Sequence, residues 1–219
     1  RFFKVPEPLL YPRDLGEVVG HDDADRLVLG VGGDANGFYA EPVRRLASAF
    51  PSDFRVLPLG TQAGRGGVGI EGGDVSVVWL PEGRPGVMIG RHRVLRFLDT
   101  LEGVPHAGRR LNRAQVEAAR KAFSDAFFGF EVVIAGEAGL LDPGLVTDEL
   151  FHLDMVVNVV RAGGGVTAFV PSFEGAPVDA SSGLPLAEEV RRRVQREYDL
   201  VAAQLARRGY RVARLPLAD

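Results

Sequence analysis

The segment MVVNVVRAGGGVTAFV, residues 155–170, has the pattern of two strands around a turn. Apolar and β-branched residues dominate Met155–Val160 and return over Val166–Val170. Between them lie the glycines Gly163–Gly165, which tolerate the tight backbone of a chain reversal. Two short apolar runs joined by a glycine-rich turn predict a β-hairpin.

A helix and a further strand follow this hairpin. Over Pro185–Arg208, leucine and valine recur at spacings of three to four residues, which predicts an amphipathic helix. Gly209 is placed to end that helix, and Tyr210–Leu215 then predicts a strand. The C-terminal part of the chain therefore has the order strand, strand, helix, strand, written ββαβ.

The same order recurs twice upstream. The middle unit is predicted to have a hairpin, a helix and a strand at Val75–Leu80 with Gly86–Gly90, Asn112–Phe128, and Phe130–Ala135. The first unit is predicted to have the same elements at Glu17–Val19 with Leu27–Val31, Pro42–Phe50, and Phe54–Pro58. Asn112 is the expected N-cap of the middle helix. No low-complexity linker separates the units, so residues 1–219 are interpreted as a single α/β domain.

Composition and charge argue against several classes of function, namely nucleic-acid binding, membrane spanning and catalysis by a cysteine of this chain. The chain has 219 residues, 46% hydrophobic content and a formal net charge of −3, which suits one globular domain. No basic face stands out, so a nucleic-acid partner is not expected. The apolar runs are too short to span a bilayer and no secretory signal is visible, so a cytoplasmic location away from membranes is predicted. With no cysteine, the chain has no disulfide and no thiol nucleophile of its own.

The motif FHLD at Phe151–Asp154 is the strongest chemical feature. A loop is predicted over Gly136–Leu150, and the strand from Met155 is expected to include the motif. Side chains alternate along a strand, so His152 and Asp154 would project from one face. An imidazole and a carboxylate in one cleft can move a proton and hold a cation. Alone, the motif equally fits a strand histidine with a hydrogen-bonded aspartate.

Two other acidic motifs have simple structural explanations when taken singly. EGGD at Glu71–Asp74 is typical of a tight turn before a strand. Asp14 follows Pro12 closely, as in many aspartate-capped turns.

His21 lies in an aspartate-rich run that is typical of a solvated turn, and His92 and His106 have no acidic residue at ligand spacing. No metal or cofactor is predicted.

Taken together and in order, three segments resemble one family: Tyr11–Asp14 (YPRD), Ile70–Val75 (IEGGDV) and Phe151–Asp154 (FHLD). The chain resembles the guanidino-group-modifying enzymes, which include arginine deiminases, dimethylarginine dimethylaminohydrolases and arginine amidinotransferases. Their fold is the pentein propeller of five ββαβ units. The resemblance implies a partial α/β propeller and an incomplete pentein-type catalytic domain over residues 1–219.

The resemblance also implies roles for residues. Asp14 and Asp154 would hold the planar, forked guanidinium by charge-assisted hydrogen bonds. His152 would act as general acid and base, and Glu71 would orient it. Arg13 and Asp74, which belong to the same motifs, are assigned to substrate binding.

Two departures from the family pattern limit the assignment. The family's nucleophilic cysteine follows the histidine motif near the C-terminus, and this sequence has none. Either the chain is a piece of a longer enzyme or it is a homologue without the nucleophile, and alone it is predicted to be inactive. The segment after EGGD also differs, leaving Arg91 and Arg93 as candidates to bind a substrate carboxylate.

The function predicted from sequence is C–N bond cleavage in arginine or a related guanidino compound, through a covalent amidino-cysteine intermediate. Deiminase-type hydrolysis is favoured because it needs no second substrate pocket. An arginine amidinotransferase and a non-catalytic guanidinium-binding homologue remain the alternatives. The partner is a small guanidino substrate, and the sequence leaves open whether a homo-oligomer or a missing polypeptide segment completes the domain.

Overall fold

A computed structural model describes residues 17–21, 24–32, 40–59, 73–146, 152–173 and 188–217. Its strands are β1 Glu17–His21, β2 Leu27–Gly32, β3 Phe54–Leu59, β4 Val75–Trp79, β5 Pro85–Gly90, β6 Glu131–Ala135, β7 Asn158–Ala162, β8 Gly165–Ser172 and β9 Arg211–Pro216. Its α-helices are α1 Ala40–Ala49, α2 Arg91–Glu102, α3 Arg113–Ala126, α4 Glu137–Leu141 and α5 Glu188–Arg207.

The described strands form three sheets of three strands each, in the orders β1-β2-β3, β4-β5-β6 and β7-β8-β9. In every sheet the first two strands pair antiparallel as a hairpin. The last two pair parallel and are joined by a helical connection. The chain is therefore of mixed α/β class, as predicted. The first and third sheets have the predicted ββαβ order, whereas the second has two helices, α2 and α3, between its second and third strands. Whether the units belong to a closed propeller stays a prediction.

Neighbouring units contact each other through their first strands, because β4 contacts both β1 and β7. The second sheet is covered on both faces. One face packs on α2 and α3 in a core that includes Val87, Ile89 and Phe123. The other face packs on α5 in a second core that includes Met88 and Val133. The helix of the third unit thus lies against the sheet of the second unit.

Asn112, Gly209 and the glycine turn at Gly163 and Gly164 begin or end helices and strands where the sequence predicted. Asn112 is the N-cap of α3, and its side chain accepts a hydrogen bond from the Gln115 amide while the Gln115 side chain accepts one from the Asn112 amide. Gly209, just after α5, has φ of +89°, a left-handed value that favours glycine. The glycine turn at Gly163 and Gly164 joins β7 to β8.

Three local predictions were incomplete or wrong. The segment Arg91–Glu102, for which no helix was predicted, is α2; it begins directly after β5, and its N-cap Gly90 has no side chain to signal a helix start. Within the loop predicted from Gly136 to Leu150, the helix α4 is present. The strand predicted from Met155 begins only at Asn158.

The FHLD motif lies before that strand, in a 3-10 turn over Leu153–Met155 with His152 as its N-cap. Inside the turn, the amides of Met155 and Val156 donate to the carbonyls of His152 and Leu153. These local hydrogen bonds outcompete the β propensity of the segment. His152 and Asp154 therefore do not share a strand face, and that prediction was wrong.

None of the described helices is long and apolar enough to cross a membrane.

Candidate functional site

The candidate site lies where Gly73 of the EGGD motif contacts the turn that contains His152 and Asp154 of the FHLD motif. The Asp154 amide donates a hydrogen bond of 3.1 Å to the Gly73 carbonyl, which holds the 3-10 turn against the residues that precede β4. The His152 ring lies over Gly73 so closely that a Cβ built on Gly73 would be 2.7 Å from His152 Nδ1. Only glycine at position 73 allows the imidazole to lie there.

Asp74 follows Gly73 and is buried, with 4% of its surface exposed. Its carbonyl accepts a 2.8 Å hydrogen bond from the Gly90 amide at the end of β5. Its Oδ1 would be 3.2 Å from a Cβ built on Gly90, and the Leu153 amide nitrogen would be 3.5 Å from the same point. The Asp74 carboxylate therefore lies between the end of β5 and the turn that carries His152 and Asp154.

Arg91 is the first residue of α2 and is buried at the same place. Its Nε donates to Glu197 Oε1 at 2.9 Å, and the two side chains are 6% and 2% exposed. Glu197 comes from the middle of α5, whose neighbouring Val194, Tyr198 and Val201 are buried in the core. Since the desolvation of such a pair is costly, short and well-oriented hydrogen bonds are needed to compensate for it.

A small cavity connects these groups. Its polar lining comes from Arg91, His92, His152 and Glu197, and it encloses about 10 Å³. That space suits about one water molecule. A guanidinium does not fit inside it. The side chains of His152 and Asp154 are both partly exposed.

Gln204 of α5 makes two hydrogen bonds to the backbone at the end of β6, next to the candidate site. Gln204 Nε2 donates to the Ile134 carbonyl at 2.7 Å, and Gln204 Oε1 accepts from the Gly136 amide at 3.2 Å. Gly136 has φ of +74°, and the hydrogen bond that its backbone N–H donates to Gln204 holds the turn between β6 and α4. The third unit therefore stabilises the end of the second sheet, beside the candidate site.

The structure thus brings four of the predicted site residues into one region, namely Asp74, Arg91, His152 and Asp154. Arg93 lies two residues farther along α2, with a partly buried side chain. Glu71, Asp14 and Arg13 lie outside the described residues, so their positions relative to His152 stay predictions. The functional roles of all eight residues also stay predictions.

Sequence reasoning missed Glu197. A signal for it exists: Glu197 falls within the apolar stripe of α5, between the buried residues Val194 and Val201. A carboxylate on the buried face of a helix is rarely there without a charged partner. That placement could have indicated a buried ion pair, although it could not have identified Arg91 as the partner.

The prediction that His106 has no acidic partner was wrong. Its ring is buried between two carboxylates of α2, with Nδ1 3.0 Å from Asp99 Oδ1 and Nε2 3.0 Å from Glu102 Oε2. Gln115 donates to Glu102 as well, and this hydrogen bond is the main reason why the pKa of Glu102 is lowered. These hydrogen bonds among Asp99, Glu102, His106 and Gln115 hold the connection between α2 and α3 in place.

In the part of the chain that the structure describes, no group of three or more histidine, cysteine, aspartate or glutamate side chains could hold a metal ion.

Comparison with known proteins shows distant similarities. No family model matches the sequence. No curated protein matches it either. Among solved structures, the chain is similar to the agmatine deiminase of C. jejuni at 12% identity and a TM-score of 0.44, covering 88% of this chain and 44% of that one. The chain thus spans less than half the length of that structure.

A second solved structure, the periplasmic domain of the T3SS inner membrane protein PrgH from S. typhimurium (fragment 170–392), is 13% identical. The match covers 97% of this chain and 100% of that one, with a TM-score of 0.18. TM-scores this low do not establish a shared fold.

Proposed function

We propose that this chain forms the guanidinium-binding and proton-transfer part of a guanidino-group-modifying enzyme that acts on arginine or a related compound. The observation that carries the proposal is the contact between Gly73 and the His152–Asp154 turn. Residues of EGGD and FHLD, which lie far apart in the sequence, are packed against each other. That is the arrangement in which Glu71 could orient His152.

The chemistry of the proposal follows from the residue types. Asp154, together with Asp14, binds the two edges of the guanidinium through charge-assisted hydrogen bonds. His152 is the general acid and base, within reach of the group that Asp154 holds. Arg91 and Arg93 are the candidates for a substrate carboxylate. Arg91 already pairs with Glu197, so its use would require the substrate to compete with a buried carboxylate.

The covalent step requires a cysteine, which this chain does not have. In the proposed route a thiolate adds to the guanidinium carbon, the C–N bond breaks, and His152 protonates the leaving amine. His152 then takes a proton from water, hydroxide adds to the amidino carbon, and the thiolate leaves. In an amidinotransferase an amine replaces water at this second step. Hydrolysis stays the favoured alternative because it needs no second substrate pocket.

The three ββαβ units would be neighbouring blades of a pentein propeller in this proposal. First strands that contact each other in sequence, β1 to β4 to β7, support a common axis. The alternative outside enzymology is a guanidinium-binding protein that breaks no bond.

Binding tests the proposal directly. Titration of the 219-residue chain with arginine, followed by calorimetry or NMR, should show saturable binding. Asp154→Asn should weaken binding about tenfold, or about 1.4 kcal/mol. Asp125→Asn is the control, because Asp125 pairs with Lys121 on the exposed surface of α3. Equal affinity in both variants would refute the role of Asp154.

Activity separates the alternatives. The chain alone should form neither citrulline nor ornithine from arginine. Where the natural polypeptide carries a cysteine-bearing segment, that longer protein should form product and His152→Ala should abolish it. Citrulline without an added amine means hydrolysis, ornithine only with an amine acceptor means transfer, and binding without product means a non-catalytic homologue.

A further inference from the structure

The small cavity beside the Arg91–Glu197 pair is polar. It encloses about 10 Å³, and its polar lining consists of Arg91, His92, His152 and Glu197. A buried water molecule needs about 10–15 Å³ of free space and two to four polar partners, whereas an apolar cavity stays dry. The lining therefore suits this cavity to one water molecule.

The polar groups around the cavity are withdrawn from bulk solvent. The side chains of Arg91 and Glu197 are almost fully buried, and so is Nε2 of His92. A guanidinium has five N–H donors, and a bidentate pair with one carboxylate uses only two of them. Buried Arg91 therefore needs acceptors besides Glu197, and a water molecule in the cavity supplies one.

The turn that carries His152 forms part of the same cavity wall. Leu153 and Val156 line the cavity, and both are buried in the core that α5 helps to form. On another side, the Nδ1 and Cγ atoms of His152 lie over Gly73. His152 therefore lies between the residues before β4 and the cavity that Glu197 lines.

A fixed hydrogen-bond partner matters for a histidine that transfers protons. The hydrogen bond at one ring nitrogen determines which nitrogen carries the proton, and so which one is available for the reaction. A buried carboxylate can fix the imidazole in this way without contacting the substrate. Glu197 is a buried carboxylate that shares a cavity with His152.

We propose that a water molecule in this cavity hydrogen-bonds to both Glu197 and His152, and that Glu197 is thereby a positioning residue for the His152 ring. The Glu197 carboxylate accepts a hydrogen bond from the water, and the water completes the hydrogen bonding of His152 inside the protein. Arg91 holds the carboxylate in place for this contact. The positioning role rests on the proposed function, whereas the water site does not.

NMR spectroscopy of the 219-residue chain tests the water site. The methyl protons of Ala135 and Val156, which line the cavity and are buried, should show nuclear Overhauser cross-peaks to a long-lived water. Ala135→Val fills the cavity and leaves the ion pair in place, so the cross-peak at Val156 should disappear and the ring resonances of His152 should shift. Ala213→Val makes the same change in β9, away from the cavity lining, and should do neither. No cross-peak in the original chain, or one that persists in Ala135→Val, overturns the proposal.

Glu197→Gln tests the positioning role. Glutamine keeps the size of the side chain and an acceptor for Arg91 but removes the charge, so the nitrogen resonances of the His152 ring should shift. Leu205→Ala is the control, because it removes core packing from the same helix without changing the cavity lining. It should lower stability and leave the His152 resonances unchanged. Unchanged resonances in Glu197→Gln, or an equal shift in both variants, overturn the positioning role.

Circular dichroism should show that these variants fold. If Glu197→Gln does not fold, the response of His152 to Ala135→Val decides, and a ring that does not respond when the water is lost overturns the positioning role.

The NMR measurements are made without arginine, so they are independent of the binding experiment with Asp154→Asn. A chain that shows the water and the His152 shifts but binds no arginine supports the link between Glu197 and His152 and overturns the proposed function. A chain that binds arginine through Asp154 but shows neither the water nor the shifts overturns the link and supports the proposed function.

Discussion

Arg91 and Glu197 form a buried ion pair that joins the start of α2 in the second unit to the middle of α5 in the third. The two residues are 106 positions apart in the sequence, and the Nε–Oε1 distance is 2.9 Å. The pair lies beside the small cavity that His152 also lines. It therefore couples the packing of the two units to the geometry of the candidate site.

Removing one partner of this pair should destabilise the protein strongly. Glu197→Ala leaves the Arg91 guanidinium buried without its carboxylate, so we expect a loss of about 3–5 kcal/mol in the free energy of unfolding. Denaturant titration measures it. The double variant Arg91→Met with Glu197→Leu should recover much of the loss. Lys121→Ala, which breaks an exposed pair on α3, should change stability by about 0.5 kcal/mol or less. A small effect of Glu197→Ala would contradict the buried pair.

Adding one methyl group at Gly73 should displace His152. The new Cβ would lie 2.7 Å from Nδ1 and 3.0 Å from Cγ of the ring, so the imidazole must move. We expect Gly73→Ala to lower stability by about 1–3 kcal/mol and to shift the His152 ring resonances in NMR spectra. Arginine binding should weaken as well.

Gly165→Ala is the matched control for this change. A Cβ at Gly165 would meet nothing nearer than 3.8 Å, and its backbone does not require glycine. Unchanged His152 resonances in Gly73→Ala would show that the ring does not lie over Gly73.

Stability should fall at alkaline pH because of two buried tyrosines. Burial is the main cause that raises the pKa of Tyr198 and of Tyr210 to about 12. A raised pKa in the folded state means that the unfolded chain loses these protons first, from about pH 10. The contribution to stability is complete below that pH and is lost as the pH rises toward 12.

Thermal unfolding measured between pH 8 and pH 12 checks this expectation. The double variant Tyr198→Phe with Tyr210→Phe should show a shallower decline in Tm above pH 10 than the original chain. Parallel curves for the two proteins would mean that other groups cause the alkaline loss.

The capping box of α3 should contribute measurably to stability. Asn112→Ala removes the side-chain acceptor of the Gln115 amide and should cost about 1 kcal/mol. Asn112→Asp keeps an acceptor at the N-cap and should stay close to the original stability. Denaturant titration of both variants distinguishes the cap from a general effect of substitution at this position. An equal loss in the two variants would contradict the capping role.

Local sequence patterns were sufficient to predict most of the order of helices and strands, and several of their ends. The hairpins follow from short apolar runs around turn residues, the helix α5 from its apolar period, and the start of α3 from Asn112. These features depend on interactions between residues close in the chain, so local sequence is sufficient to predict them. That is why the ββαβ order was predictable before any contact was known.

The contacts between distant segments could not be predicted from local sequence. The turn over residues 152–155 has local hydrogen bonds, but its place beside the residues before β4 is fixed by the hydrogen bond from the Asp154 amide to the Gly73 carbonyl. The pairing of Glu197 with Arg91 likewise depends on which units pack together. Burial and long-range hydrogen bonds arise only when the units pack together, so the sequence of one segment does not indicate which distant residues it will contact.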